Sequence, residues 1–161
     1  MKNLYALTAI RCSKIISILL LFFSFSSNAQ ELMRANIFMV DASGVTLMDG
    51  NLTNYDNIYS NAVDIDDAWK MTNPGVNFGI LRDGYNLVVE RRSIIDGSDT
   101  TFFRMWNMPQ HNYRIKFMLK NLDHPGLTAV LKDKFLNTQT NIKLNDTTYY
   151  DFTINTNPWY R

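Results

Sequence analysis

Cysteine is almost absent. The only one, Cys12, stands near the N-terminus, so the chain can form no internal disulfide and no cluster of thiolate metal ligands. There are two histidines, His111 and His124, with no His-x-His or His-x-x-x-His spacing to set both on one metal. Glutamate is nearly as scarce. Glu31 lies early in the chain, and Glu90 stands beside Arg91 and Arg92, where charge pairing across a sheet accounts for it more simply than acid catalysis. Gly-x-Ser-x-Gly, phosphate-loop and dinucleotide fingerprints are missing, and Ser43, Ser60, Ser93 and Ser98 fit turns or strand ends. The expectation is a protein without catalysis and without a cofactor. Nor is there an excess of one charge. The 16 Lys and Arg are interspersed with 15 Asp and Glu, which argues against nucleic acid or an anionic membrane as the main partner.

What is present begins with an address. Lys2, Arg11 and Lys14 precede an apolar run, Ile15 to Phe25, and "SNA" ending at Ala29 offers small residues for cleavage before Gln30. Residues 1–29 therefore read as a signal peptide, too short in its apolar part for a comfortable membrane span. Cys12 lies ahead of the apolar run, where it cannot be the lipidated cysteine of a lipoprotein. Residues 30–161 remain as a single exported domain, periplasmic or extracellular, with no membrane span after the leader is removed.

Asn, Thr and aromatic residues are abundant, the last including 10 Phe, 8 Tyr and 3 Trp, and this composition favours turns and strands. From Tyr113 to Lys120 apolar and polar residues alternate, with Tyr113, Ile115, Phe117 and Leu119 on one face. Thr148 to Ile154 repeats the pattern through Tyr150 and Phe152. Asp83-Gly84 predicts a type I′ hairpin pairing Arg82 with Tyr85, Ile80 with Leu87 and Phe78 with Val89. Further strands are expected over Ala35–Val40, Val45–Leu52, Thr100–Asn107 and Leu127–Lys132. Turns are expected at Asp41, Asp49, Asp96 and Pro125-Gly126. These features together predict an all-β fold, an antiparallel β-sandwich of jelly-roll or Ig-like type with seven or eight strands.

The stretch "AVDIDDAWKM" concentrates the candidate chemistry. Starting at Asp64, a helix-loop-helix calcium site would need ligands at its fifth and twelfth positions, which are Ala68 and Gly75. A short helix near 64–72 fits better, with Asp64 as N-cap, Asp66 and Asp67 in the first turn, and Pro74 beyond its end. Trp69 would then anchor it to the core. A cation held by Asp64, Asp66 and Asp67 in some other loop geometry stays open. Trp69, Trp106 and Trp159, with Tyr149 and Tyr160, are the candidates for stacking on a sugar or a partner protein. The sequons at Asn51 and Asn145 matter only in a eukaryotic secretory pathway.

The segments "LMDGNLTNYDNIYSNAVDIDDAWKMTNPGVNFGILRDGYNLVVERR", "DTTFFRMWNM", "YRIKFMLKNLDHPGLTAVLKDKFLN" and "TTYYDFTINTN" together resemble a β-sandwich module of large secreted and surface proteins from bacteria that use type IX secretion. That module commonly precedes a C-terminal sorting domain. The resemblance implies a non-catalytic structural or adhesion-related module, and a carbohydrate-binding module is the alternative. Relatives continue past "TINTN" into another apolar strand, whereas this chain stops at "PWYR". A sandwich without its last strand, or a truncated gene product, would offer an open sheet edge to a partner's strand or to a second copy.

Overall fold

The computed structural model describes residues 30–95 and 97–155. The expected leader, residues 1–29, with Ala29 of the expected cleavage site, Asp96 in the expected turn, and the candidates Trp159 and Tyr160 lie outside the described residues. The fold is all-β. Among the described residues ten strands follow in order: β1 (Glu31–Asp41), β2 (Gly44–Tyr55), β3 (Ala68–Trp69), β4 (Asn77–Arg82), β5 (Tyr85–Arg92), β6 (Phe102–Trp106), β7 (Asn112–Lys120), β8 (Ala129–Asp133), β9 (Thr138–Ile142) and β10 (Thr147–Thr153). Eight form one sheet in the order β10-β7-β1-β2-β5-β4-β6, with β3 added on β5, while β8 and β9 make a separate hairpin.

Alternation explains the central strands. Tyr113, Ile115, Phe117 and Leu119 of β7 are all buried, as the period of two requires, and they pair in register with Met39, Ile37, Ala35 and Met33 of β1. Phe152 and Ile154 continue the same inner face beyond β7. Burying one such side chain stabilises the fold by about 1.5–3 kcal/mol. The sheet curls strongly. β6 and β7 are not neighbours in it, yet the Phe103 and Phe117 rings meet edge to face at 5.8 Å, and Phe103 also stacks on Phe78 at 5.2 Å. One aromatic core is thereby shared by strands from both halves of the sheet.

Several expectations need correction. The sheet is mixed rather than purely antiparallel, because Leu52–Tyr55 of β2 run parallel to Val89–Arg92 of β5. Asp49 is no turn: it sits within β2 just after a bulge at which Met48 is the extra residue, between the pairs Ile37–Asp49 and Phe38–Leu47. The helix near 64–72 is absent. The acids do make the bonds of a helix start, the Asp64 carboxylate accepting from the Asp66 N–H at 2.9 Å and the Asp67 carboxylate from the Asp64 N–H at 3.0 Å. The chain then extends instead of winding, because Ala68 and Trp69 pair with β5 and the Lys70 N–H reaches Asn86 O at 2.8 Å. Two strands, β3 and β9, were not foreseen.

The Asp83-Gly84 hairpin forms in the expected register, Arg82 with Tyr85 and Ile80 with Leu87, but the Phe78–Val89 pair does not form. β5 carries one extra residue, Val88, opposite the Ala68–Trp69 step. Both Leu87 and Glu90 are therefore buried, although they stand three residues apart. The Phe78 N–H, left without its ladder partner, donates to the Asp49 carboxylate at 2.7 Å. Asp83 and Gly84 adopt φ of 49° and 85°, the left-handed pair that the turn demands. Gly84→Val should accordingly cost about 1–3 kcal/mol in urea unfolding, whereas Asp83→Gly should stay within about 1 kcal/mol of the parent. Equal effects of the two would contradict the turn's control of this register.

Candidate functional site

The acidic stretch meets the solvent as a shallow lip. Val63, Asp64, Ile65, Asp67, Trp69 and Tyr85 line a depression of about 430 Å³. Trp69 is 67% exposed and lies on the outside rather than in the core. It stacks on Tyr85 with ring centroids 5.5 Å apart and planes 20° from parallel. The carboxylate oxygens of Asp64 and Asp67 take main-chain donors, among them the Arg91 N–H on Asp67 at 2.8 Å. Asp66 faces the Arg91 guanidinium at 3.8 Å, and that cation in turn covers the Tyr59 ring. These bonds fix the lip to β5. They also point N–H dipoles at the oxygens that a cation would need.

The other aromatic candidates are dispersed. Trp106 is half-buried on β6 under Arg104, and Tyr149 is exposed on β10 under Arg114, which Asp151 holds through two bonds of 2.6 and 2.7 Å. Among the described candidates only Trp69 gains an aromatic partner, Tyr85, which the sequence places in the hairpin opposite Arg82, on one apolar face with Phe78, Ile80, Leu87 and Val89. Its position beside the turn, at the end of that face, was the available signal. Of the sequons, Asn51 is buried in β2 and Asn145 is exposed. His124 faces Glu31 across 3.1 Å.

A buried polar cluster lies where β2 meets β5. Glu90, 2% exposed, faces Arg82 at 3.3 Å and Arg92 at 3.8 Å and accepts from Thr53 Oγ1 at 3.4 Å. Arg92 donates to Asp99 at 2.7 Å. Arg91 turns away, to Asp66, and the charge pairing across the sheet is made by Arg82 of β4. Both side-chain polar atoms of buried Asn51 lack a hydrogen-bond partner among the described residues. Burial raises the Glu90 carboxyl above its ordinary value, with Arg92 and Arg82 acting in the opposite direction. Burial likewise pushes the Tyr55 phenol up to about 12.

The third feature has no local sequence signal. Between the inner face of the curled sheet and the β8–β9 hairpin lies a cavity of about 1240 Å³. Phe103, Phe117 and Leu119 line it from the sheet, and Leu131, Ile142 and Leu144 from the hairpin side. Tyr55 and Asp99 carry the polar cluster to its wall. At about 24 cal/mol per Å³, a sealed and empty void of this size would cost roughly 30 kcal/mol. Whole domains are stable by only about 5–15 kcal/mol. The described residues therefore leave this space unfilled, and it is open to water or otherwise occupied. These three places are an exposed aromatic lip, a buried charge cluster and an apolar space.

No protein-family model, curated protein or solved structure matches this chain.

Glu90 generates a pH dependence of definite sign. A carboxyl raised in the fold holds its proton more tightly there than in the unfolded chain. Its contribution is thus complete below the ordinary value of 4.5 and declines as pH climbs through the raised value. Glu90→Gln removes this titration, so the melting temperature of the parent should fall relative to the variant from pH 4.5 upward. Parallel profiles would contradict the assignment.

Proposed function

We propose that the chain is an exported, non-catalytic β-sandwich-like module that acts through contacts made at its surface, in a structural or adhesive role. The observation that carries this reading is the rigid aromatic lip. Trp69 and Ile65 are 67% and 98% exposed, on a segment fixed to the sheet by main-chain pairing and by the Lys70–Asp49 ion pair, whose side chains are 5% and 9% exposed. Large apolar side chains held outward on a firm base lose little freedom on meeting a partner. The resemblance to modules of type IX secretion bacteria supports the same role, with the leader cleaved between Ala29 and Gln30 and the product in the periplasm or at the cell surface. β6 and β10, each paired on one side only among the described residues, are the edges at which a partner's strand could add.

The carbohydrate-binding reading draws on the same lip, since Trp69 presents a ring face beside Asp64 and Asp67. A sugar platform wants two or three rings side by side, whereas Trp69 and Tyr85 lie one on the other. Protein contact is therefore the better reading. A glycan array with the purified protein separates the two. The contact reading predicts no signal above background, whereas a sugar signal that Trp69→Ala removes would overturn it in favour of glycan binding. Trp69→Ala should change stability by no more than about 1.5 kcal/mol, the upper worth of one aromatic pair, and so leaves the fold intact for the assay.

A further inference from the structure

The cavity between the sheet and the β8–β9 hairpin is independent of the aromatic lip. Its walls are apolar and adaptable: Met33 and Met105 flank the aromatic floor, and thioether side chains adjust to ligands of irregular shape. Met33, Phe103, Met105, Leu131, Ile142 and Leu144 pack against the buried core yet remain only partly buried themselves. Their residual exposure accompanies their place on the cavity wall. At about 1240 Å³ the space exceeds the ~300–1,000 Å³ of ordinary small-molecule pockets.

Charge selects among apolar occupants. Arg104, Lys132 and Lys134 are exposed on the lining segments, and none has a carboxylate within ion-pair distance among the described residues. Lys134 lies over the Phe102 ring at 5.6 Å, joining the hairpin turn to the edge strand β6. The two acids of the lining are engaged. Asp99 holds Arg92, and Asp133 accepts from the Phe135 and Leu136 N–H groups and from Tyr150 Oη. An apolar interior beneath uncompensated cations is complementary to an anionic amphiphile.

We propose that this cavity binds a single-chain aliphatic molecule with an anionic head group, its chain among Phe103, Phe117 and Leu131 and its head toward Arg104, Lys132 and Lys134. The test is displacement of fluorescent cis-parinarate from the purified protein by hexadecanoate, hexadecyl phosphate and hexadecanol. The carboxylate, the phosphate or both should displace it at concentrations roughly tenfold lower than the neutral alcohol, and which of them does so distinguishes the two sources of negative charge. Reversing two exposed cations, in the double variant Lys132→Glu and Lys134→Glu, should weaken the anions about fivefold or more and leave hexadecanol unchanged. Ala129→Trp, which fills the cavity from β8, should abolish displacement by all three. Failure of all three to displace from the folded parent would overturn the proposal. So would equal displacement by alcohol and anions, or a charge-reversed variant that binds the anions as the parent does.

Discussion

The Asp49 carboxylate is the constraint on which the arrangement turns. It lies just after the bulge of β2 and gathers three donors: its neighbour Gly50 N–H at 2.9 Å, Phe78 N–H of β4 at 2.7 Å, and the Lys70 ammonium at 3.0 Å. Asp49 and Lys70 are both nearly out of solvent, where a lone charge would be costly and a paired one with further hydrogen bonds is tolerated. The Phe78 bond has a topological meaning. It replaces the next rung of the β4–β5 ladder, so β5 is free to leave β4 after Ile80–Leu87 and lie parallel to β2. That exchange makes the sheet mixed and brings β4 and β6 round to face the strands of β7.

Two features follow from this one departure. On the outside, Lys70 ties the chain to Asp49 of β2 through its ammonium and to Asn86 of β5 through its N–H, which leaves Trp69 standing outward on Tyr85. On the inside, curling brings the Phe103 ring to Phe117 but leaves the concave space only partly filled, and the β8–β9 hairpin covers it without sealing it with side chains. A core that closed at ordinary density would have no room for a guest. The polar cluster of Glu90, Arg92 and Asp99 stands between the two features, in the part of β5 that faces inward because of the extra Val88.

Much of the strand content was legible because its causes are local. β7 and β10 alternate strictly, and Asp83-Gly84 has one favoured geometry, so the faces of those two strands and the hairpin register next to the turn could be read directly. The acids at 64–67 were legible only in their chemistry. They cap a single turn in place of the expected helix, because a helix needs further turns to be worth its nucleation and β5 offered Ala68 and Trp69 a ladder instead. "TQTNI" of β9 has no apolar alternation and becomes a strand by pairing with β8. Asp49-Gly50 looks like a turn because its neighbours in sequence suggest one, whereas its fate is decided by Phe78 and Lys70, more than 20 residues away in the chain. The Trp69–Tyr85 pair and the cavity are sums over distant segments, and no window of sequence contains them.

Amide hydrogen exchange on Asp49→Ala tests the central role of this carboxylate most directly. The Phe78 amide and those of Ala68 to Lys70 should lose protection by roughly a hundredfold or more, while β1, β7 and β10 keep theirs. Unchanged exchange at Phe78, or a uniform loss across the whole sheet, would show that Asp49 does not govern the departure of β5 from β4.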